Sequence, residues 1–143
     1  MTISMSQAMA MIHGAFDHAT QQGFAPMQAI VVDVAGNVLA FLKQDGSSIM
    51  RFEQCHGKAC SALSVAPGHS RAMRDIAVDD PSRFEFLMRM SPHPLSPVGG
   101  GYRVLNGKGQ AIGAMAVAGD TSGNDEAAAR VGIRAAGFSI TEE

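Results

Sequence analysis

The sequence predicts an α/β (α+β) fold built in α/β/α layers, with a central antiparallel sheet and helices on both faces. Three observations carry this. Two pairs of β-rich runs are each joined by a short turn signal, Ala35-Gly36-Asn37 and Asn106-Gly107-Lys108-Gly109, which makes antiparallel hairpins. Helical periodicity flanks both pairs. One strand of each pair, Ile30-Val31-Val32 and Ala111–Ala118, is apolar or small on both faces, as a strand covered on both sides must be.

The elements follow in order. Residues 4–22 predict a helix, because Met5, Met9, Ile12, Phe16 and Ala19 form one apolar stripe. Ser4 or Ser6 can cap its start and Gly23 suits its end. Ala29–Val34 and Val38–Lys43 form the first hairpin. Residues 51–66 predict a second helix, with Phe52, Cys55, Ala59, Ala62, Leu63 and Ala66 on one face, ended by Pro67-Gly68. Two short helices, Ser70–Ile76 and Ser82–Met90, are separated by Asp79-Asp80-Pro81-Ser82. Residues 91–97 carry three prolines and must be extended. Tyr102–Leu105 and Gln110–Ala118 form the second hairpin, and Asp125–Ala136 a last helix with acids in its first turn. The tail frays or adds a short edge strand.

A length of 143 residues corresponds to about one domain, here taken as 1–143. With 46% hydrophobic and 17% charged residues, the chain is globular and can bury roughly two thirds of its unfolded surface. A net charge of −2 argues against a partner bound through phosphate neutralisation, so no nucleic acid is expected. No apolar run nears the ~20 residues that span a bilayer, so no membrane partner is expected either. The N-terminus lacks the basic region of a signal peptide, and a cytoplasmic location follows as the expectation. Cys55 and Cys60 point about 140° apart on a helix and cannot pair, so they are expected as free thiols near a core. No HxH or HxxxH spacing marks a metal site.

Several stretches point to a family. They are Ile30-Val31-Val32-Asp33-Val34-Ala35-Gly36-Asn37-Val38-Leu39, Asp45-Gly46, Lys58-Ala59-Cys60-Ser61-Ala62, Gly99-Gly100-Gly101, the run from Asn106 to Gly119, and Asp125 with Ala128. In that order, across residues 5–137, the chain resembles the haem-degrading domain family, the GlcG/HbpS-like group. The resemblance implies a profilin-like or roadblock-like fold, a homo-oligomer, and haem as the ligand of some members. The chain departs from the family pattern in two places: Tyr102-Arg103 stands where the family often has a proline two residues after its glycines, and the preceding segment with Phe84, Phe86, His93 and three prolines is particular to this chain.

The candidate residues follow from chemistry. Gly99, Gly100 and Gly101 either relieve strain at a strand entry or offer backbone N–H groups to an anion. Arg51 and Lys58, seven residues apart and nearly eclipsed, are either solvated or bind carboxylates or haem propionates together with Arg103. His56 is the first candidate for proton transfer or iron ligation and His13 the second, while His93 between two prolines suits a lid. Tyr102, the only tyrosine, can stack on a planar ligand or hydrogen-bond to it. Asp33 is expected to shape its turn, and His18 and His69 to lie at the surface. The first functional expectation is a small-ligand-binding protein that binds or processes haem. The alternative is a catabolic enzyme acting on a small organic anion, a carboxylate, with His56 or Tyr102 moving a proton. The third is a non-catalytic interaction domain.

Overall fold

The computed structural model describes residues 2–141; residues 1, 142 and 143, included in the expected domain, lie outside the described residues. Ser4 opens α1 (Met5–Gln22) with a capping box. Its Oγ accepts from the Gln7 amide at 3.1 Å, and Gln7 Oε1 accepts from the Ser4 amide at 2.9 Å. Gly23 closes the helix in the left-handed region, φ 70°. The buried stripe of α1 is Ala8, Met11, Ile12, Ala15 and Ala19, rotated from the expected one, and Met5 is 74% exposed. The reason is close packing on α5 (Ser122–Ala135). A Cβ on Gly14 would lie 2.9 Å from Ala135 Cβ, and one on Gly132 would run into the Met11 carbonyl. Small residues let the two helices approach, so the alanine stripe faces inward and Met5 does not.

The sheet has the order β2-β1-β4-β3, antiparallel throughout, from β1 (Gln28–Val32), β2 (Val38–Lys43), β3 (Gly101–Leu105) and β4 (Ala111–Ala118). β1 and β4 are the inner strands and every residue of β1 is buried, as its two-sided apolar pattern requires. β1 stops at Val32, earlier than expected, because Asp33 Oδ1 takes the amides of Ala35 (2.9 Å) and Asn37 (3.0 Å) and turns the chain. One face carries Ala29, Val31, Met115, Val117, Tyr102 and Val104 into a core with α1 and α5. The other carries Ile30, Val32, Ala114, Ala116 and Ala118 against Cys55 and Ala59 of α2 (Arg51–Ser64). The alanines of β4 are what allow α2 to lie close.

α3 (Ser70–Asp79) and α4 (Pro81–Met90) are longer than the sequence indicates, and their separation shrinks to Asp80, which caps α4 through its carboxylate. His69 is not at the surface. It is buried, caps α3 by accepting from the Ala72 amide, and forms a backbone bridge with Tyr102. α5 begins at Ser122, three residues before the expected start, because Thr121 Oγ1 caps it. Leu105 bridges Ser139, so the tail does add a short piece to the β3 edge. Among the described residues no helix is long and apolar enough to cross a membrane.

The α1–α5 contact yields a paired test. Gly132→Ala is expected to lower stability by about 1–3 kcal/mol through overpacking. Gly123→Ala, in open space on the same helix, is expected to raise it by about 0.4–1 kcal/mol. Urea unfolding of both variants checks this.

Candidate functional site

Lys58 is buried in the second layer, not solvated. Its Nζ donates to Asp125 Oδ2 at 2.8 Å and to the Val117 carbonyl at 2.9 Å, and both side chains are 3% exposed. Asp125 Oδ1 accepts from the Asp120 amide at 2.9 Å. Burial pushes the Asp125 carboxyl above its ordinary range, against the pull of the Lys58 ammonium. The glycine run wraps this pair. A Cβ on Gly100 (φ 131°) would sit 2.9 Å from Lys58 Nζ, one on Gly101 would meet the Lys58 carbonyl, and one on Gly99 would lie 3.0 Å from the Glu126 carboxylate. The Gly101 amide donates to Ser70 Oγ at 2.9 Å.

Tyr102 is 1% exposed. Its hydroxyl donates to Glu126 Oε2 at 3.0 Å and accepts from Arg130 Nη1 at 2.9 Å, and Glu126 also pairs with Arg71. Arg103 donates to the carbonyls of Ala62, Leu63 and Val65 and so satisfies the C-terminal end of α2. Arg51 holds Gln54 Oε1 at 2.6 Å. Arg51 in the first turn of α2, Lys58 in its middle and Arg103, reaching its last turn from β3, thus do not converge. The cations that line the recess of about 340 Å³ beside Gly99 are Arg71 and Arg74, neither singled out by the sequence.

His56 finds two unforeseen neighbours. Its ring lies 5.2 Å from that of His93, and one ligand atom each of His56, Cys60 and His93 lies within 4.8 Å of the others. His56 Nε2 faces the Gly36 carbonyl at 2.9 Å and His93 Nε2 the Ala35 carbonyl at 2.8 Å. The recess here is about 190 Å³, walled by residues such as Val34, Leu63 and Pro92. Burial pushes the Cys60 thiol up to about 11 and the Cys55 thiol up to about 12. The sequence held half of the signal, His56 and Cys60 at i and i+4 on one helix face. The third member comes from a loop 33 residues further on, beyond the reach of any spacing rule.

On the opposite side of the sheet, α1 and β2 bound an open cleft of about 620 Å³. Phe16, Phe24, Pro26 and Leu42 supply its apolar walls, and Lys43 and Asp45 its charges. His13 is exposed and stands one turn before Phe16, on the same stripe of α1 as Phe16 and Thr20. His18 packs edge-on to Phe24, with ring centroids 5.8 Å apart.

Residues 3–134 match the family described as haem degrading protein HbpS-like. The chain belongs to that family. No curated protein matches it in sequence. Among solved structures, the HbpS-like chain is similar to a PduOC haem complex, with 19% identity and a TM-score of 0.84 over 99% of this chain and 100% of that one. It is similar to protein ORFY of Klebsiella pneumoniae, with 25% identity and a TM-score of 0.79 over 94% and 90%. A variant of HbpS from Streptomyces reticuli gives 26% identity and a TM-score of 0.77 over 94% and 86%. These likenesses span both layers of helices, so the α/β/α architecture read from the sequence is that of the HbpS-like fold.

Two outcomes follow for this HbpS-like chain. Lys58→Met is expected to cost about 3–5 kcal/mol by stranding Asp125, and adding Asp125→Leu is expected to recover most of it; urea unfolding reads both. The thiols give a pH test. Their folded pKa values lie above the ordinary value of 9.0, so the stability they contribute is present below pH 9 and is lost as pH rises through about 11 for Cys60 and about 12 for Cys55. Unfolding midpoints are expected to fall across that window, and less steeply in Cys60→Ser.

Proposed function

We propose that this HbpS-like protein binds haem, seated in the cleft between α1 and β2, with His13 as the candidate iron ligand. The observation that carries this is the cleft itself. It lies within the roughly 300–1,000 Å³ range of small-molecule and cofactor sites, Phe16, Phe24, Pro26 and Leu42 give it apolar walls beside the polar Thr20, Gln44 and Asp45, and the Lys43 ammonium suits a propionate. His13, exposed on the same stripe of α1, has an imidazole available to iron. Haem, when bound, supplies a redox-active iron; the chain's part is to hold and orient the macrocycle.

Further support comes from the family match and from the haem complex formed by the similarly folded PduOC. His56, the other candidate ligand, is the weaker choice, because the recess at its neighbours Cys60 and His93, about 190 Å³, is smaller than such sites require. His69, beside a groove of about 670 Å³, already accepts from the Ala72 amide through Nδ1. That leaves Nε2 protonated and without a lone pair for iron. We further propose a homo-oligomer, since β2 is a sheet-edge strand whose outer backbone is open to a second chain.

Haemin titration of the purified protein tests the haem proposal. A saturable one-to-one Soret shift is expected, weakened at least about tenfold in His13→Ala and unchanged in His56→Ala. Leu42→Glu, which sets a carboxylate in the cleft wall, is expected to weaken it likewise. A featureless response would sink the proposal. Loss in His56→Ala alone would move the ligand to α2.

A further inference from the structure

We infer that His56, Cys60 and His93 form a three-ligand site for a thiophilic transition metal ion of the zinc class, separate from the haem cleft. Among the described residues this is the one trio of histidine, cysteine or carboxylate side chains whose donor atoms converge. It joins three parts of the chain. α2 supplies His56 and Cys60 one turn apart, the proline-rich loop supplies His93, and the β1–β2 turn supplies the carbonyls of Ala35 and Gly36.

The surroundings are those of a metal site. A carbonyl oxygen can only accept, so both Nε2 atoms carry hydrogen and each ring keeps a lone pair on Nδ1. A metal-binding imidazole characteristically donates its second N–H to a backbone carbonyl or carboxylate, which fixes tautomer and ring orientation. Both rings here already make that contact. Two neutral imidazoles and a thiolate are a donor set suited to zinc, cobalt or copper and unsuited to magnesium or calcium. Binding forms the S–metal bond at Cys60 and releases the thiol proton to solvent.

The site is also preorganised. Ser91 Oγ donates to the His93 carbonyl at 2.6 Å, the Ser96 amide donates to Ser61 Oγ at 2.9 Å, and Ser70 Oγ donates to the Val98 carbonyl at 2.6 Å. These bonds fix the loop that carries His93. Gly36, at φ 83°, brings the turn so close that a Cβ would lie 2.7 Å from the His93 ring and 3.2 Å from Cys60 Sγ. Tetrahedral bonds of about 2.0 Å to nitrogen and 2.3 Å to sulfur place ligand atoms roughly 3.5 Å apart. Donors within 4.8 Å therefore need to close by about 1.3 Å at most. Three protein ligands leave the fourth position open to the recess of about 190 Å³, room for water or a small anion. That pattern belongs to metal sites that do chemistry or exchange ligands, whereas purely structural zinc sites are closed by four protein groups.

The test is a cobalt titration of the reduced, metal-free full-length protein, followed by zinc competition. One equivalent of Co²⁺ is expected to raise a thiolate-to-cobalt charge-transfer band in the near ultraviolet, which Zn²⁺ then abolishes. Cys60→Ser is expected to remove the band. His93→Ala, altered in a half-buried loop side chain outside the core, is expected to weaken cobalt binding at least about tenfold, while His13→Ala binds as the parent does. No saturable band, or a band that survives in folded Cys60→Ser, would overturn the proposal, as would full affinity in His93→Ala. The haemin response of the same preparation reads the haem cleft independently, so either proposal can fail alone.

Discussion

The buried ion pair of Lys58 with Asp125 is the constraint around which the rest of the chain is arranged. Two charges 2.8 Å apart and almost fully excluded from water are stable only when their remaining hydrogen-bonding capacity is met. Lys58 uses a second donor on the Val117 carbonyl, and Asp125 uses its other oxygen on the Asp120 amide. These contacts tie α2 to the end of β4 and to the first turn of α5. The helix layers on opposite faces of the sheet are thereby linked at its end. Desolvation makes each charge costly alone, so the pair acts as a registration device: an arrangement of α2 that missed Asp125 would strand both.

That pair explains the glycines. The chain entering β3 must pass directly against the Lys58 backbone and ammonium, and only residues without a Cβ leave room at Gly100 and Gly101. It also explains why the cationic residues do not gather. Lys58 is occupied by Asp125, Arg103 satisfies the carbonyls at the end of α2, and Tyr102 is held between Glu126 and Arg130. A motif-rich stretch of sequence is here architecture. The groups that remain accessible, His13, His56 and His93, stand at the margins of the layers.

The strands, both hairpin turns and the pairing of Asp33 with its own turn were legible because alternation, Asn-Gly chemistry and Asx turns are local. The helix on either face followed from strands apolar on both sides. What was not legible is non-local. The alanine stripe of α1 faces inward only because Gly132 and Gly14 let α5 approach, and the sequence of α1 alone favours its larger methionines. Lys58 looks solvated until its partner 67 residues away is known. His69 looks like a surface residue until its cap on α3 and its bridge to Tyr102 are seen. His93 looks like a lid until the turn at Gly36 places it beside His56 and Cys60.

The proposed haem cleft and the proposed metal recess lie on opposite faces of the sheet, yet share the β1–β2 hairpin. Leu42 and Lys43 of β2 line the first, and the carbonyls of Ala35 and Gly36 orient the second. A floppy hairpin would couple them. This one is rigid at its base, since β1 is buried along its whole length and paired on both sides with β2 and β4. Its turn is pinned by the two amides on Asp33. The hairpin therefore behaves as a fixed partition, with an open apolar wall on the α1 side and a pair of oriented carbonyls on the α2 side. Two ligands of different chemistry can then be held by one short element without either distorting the site of the other.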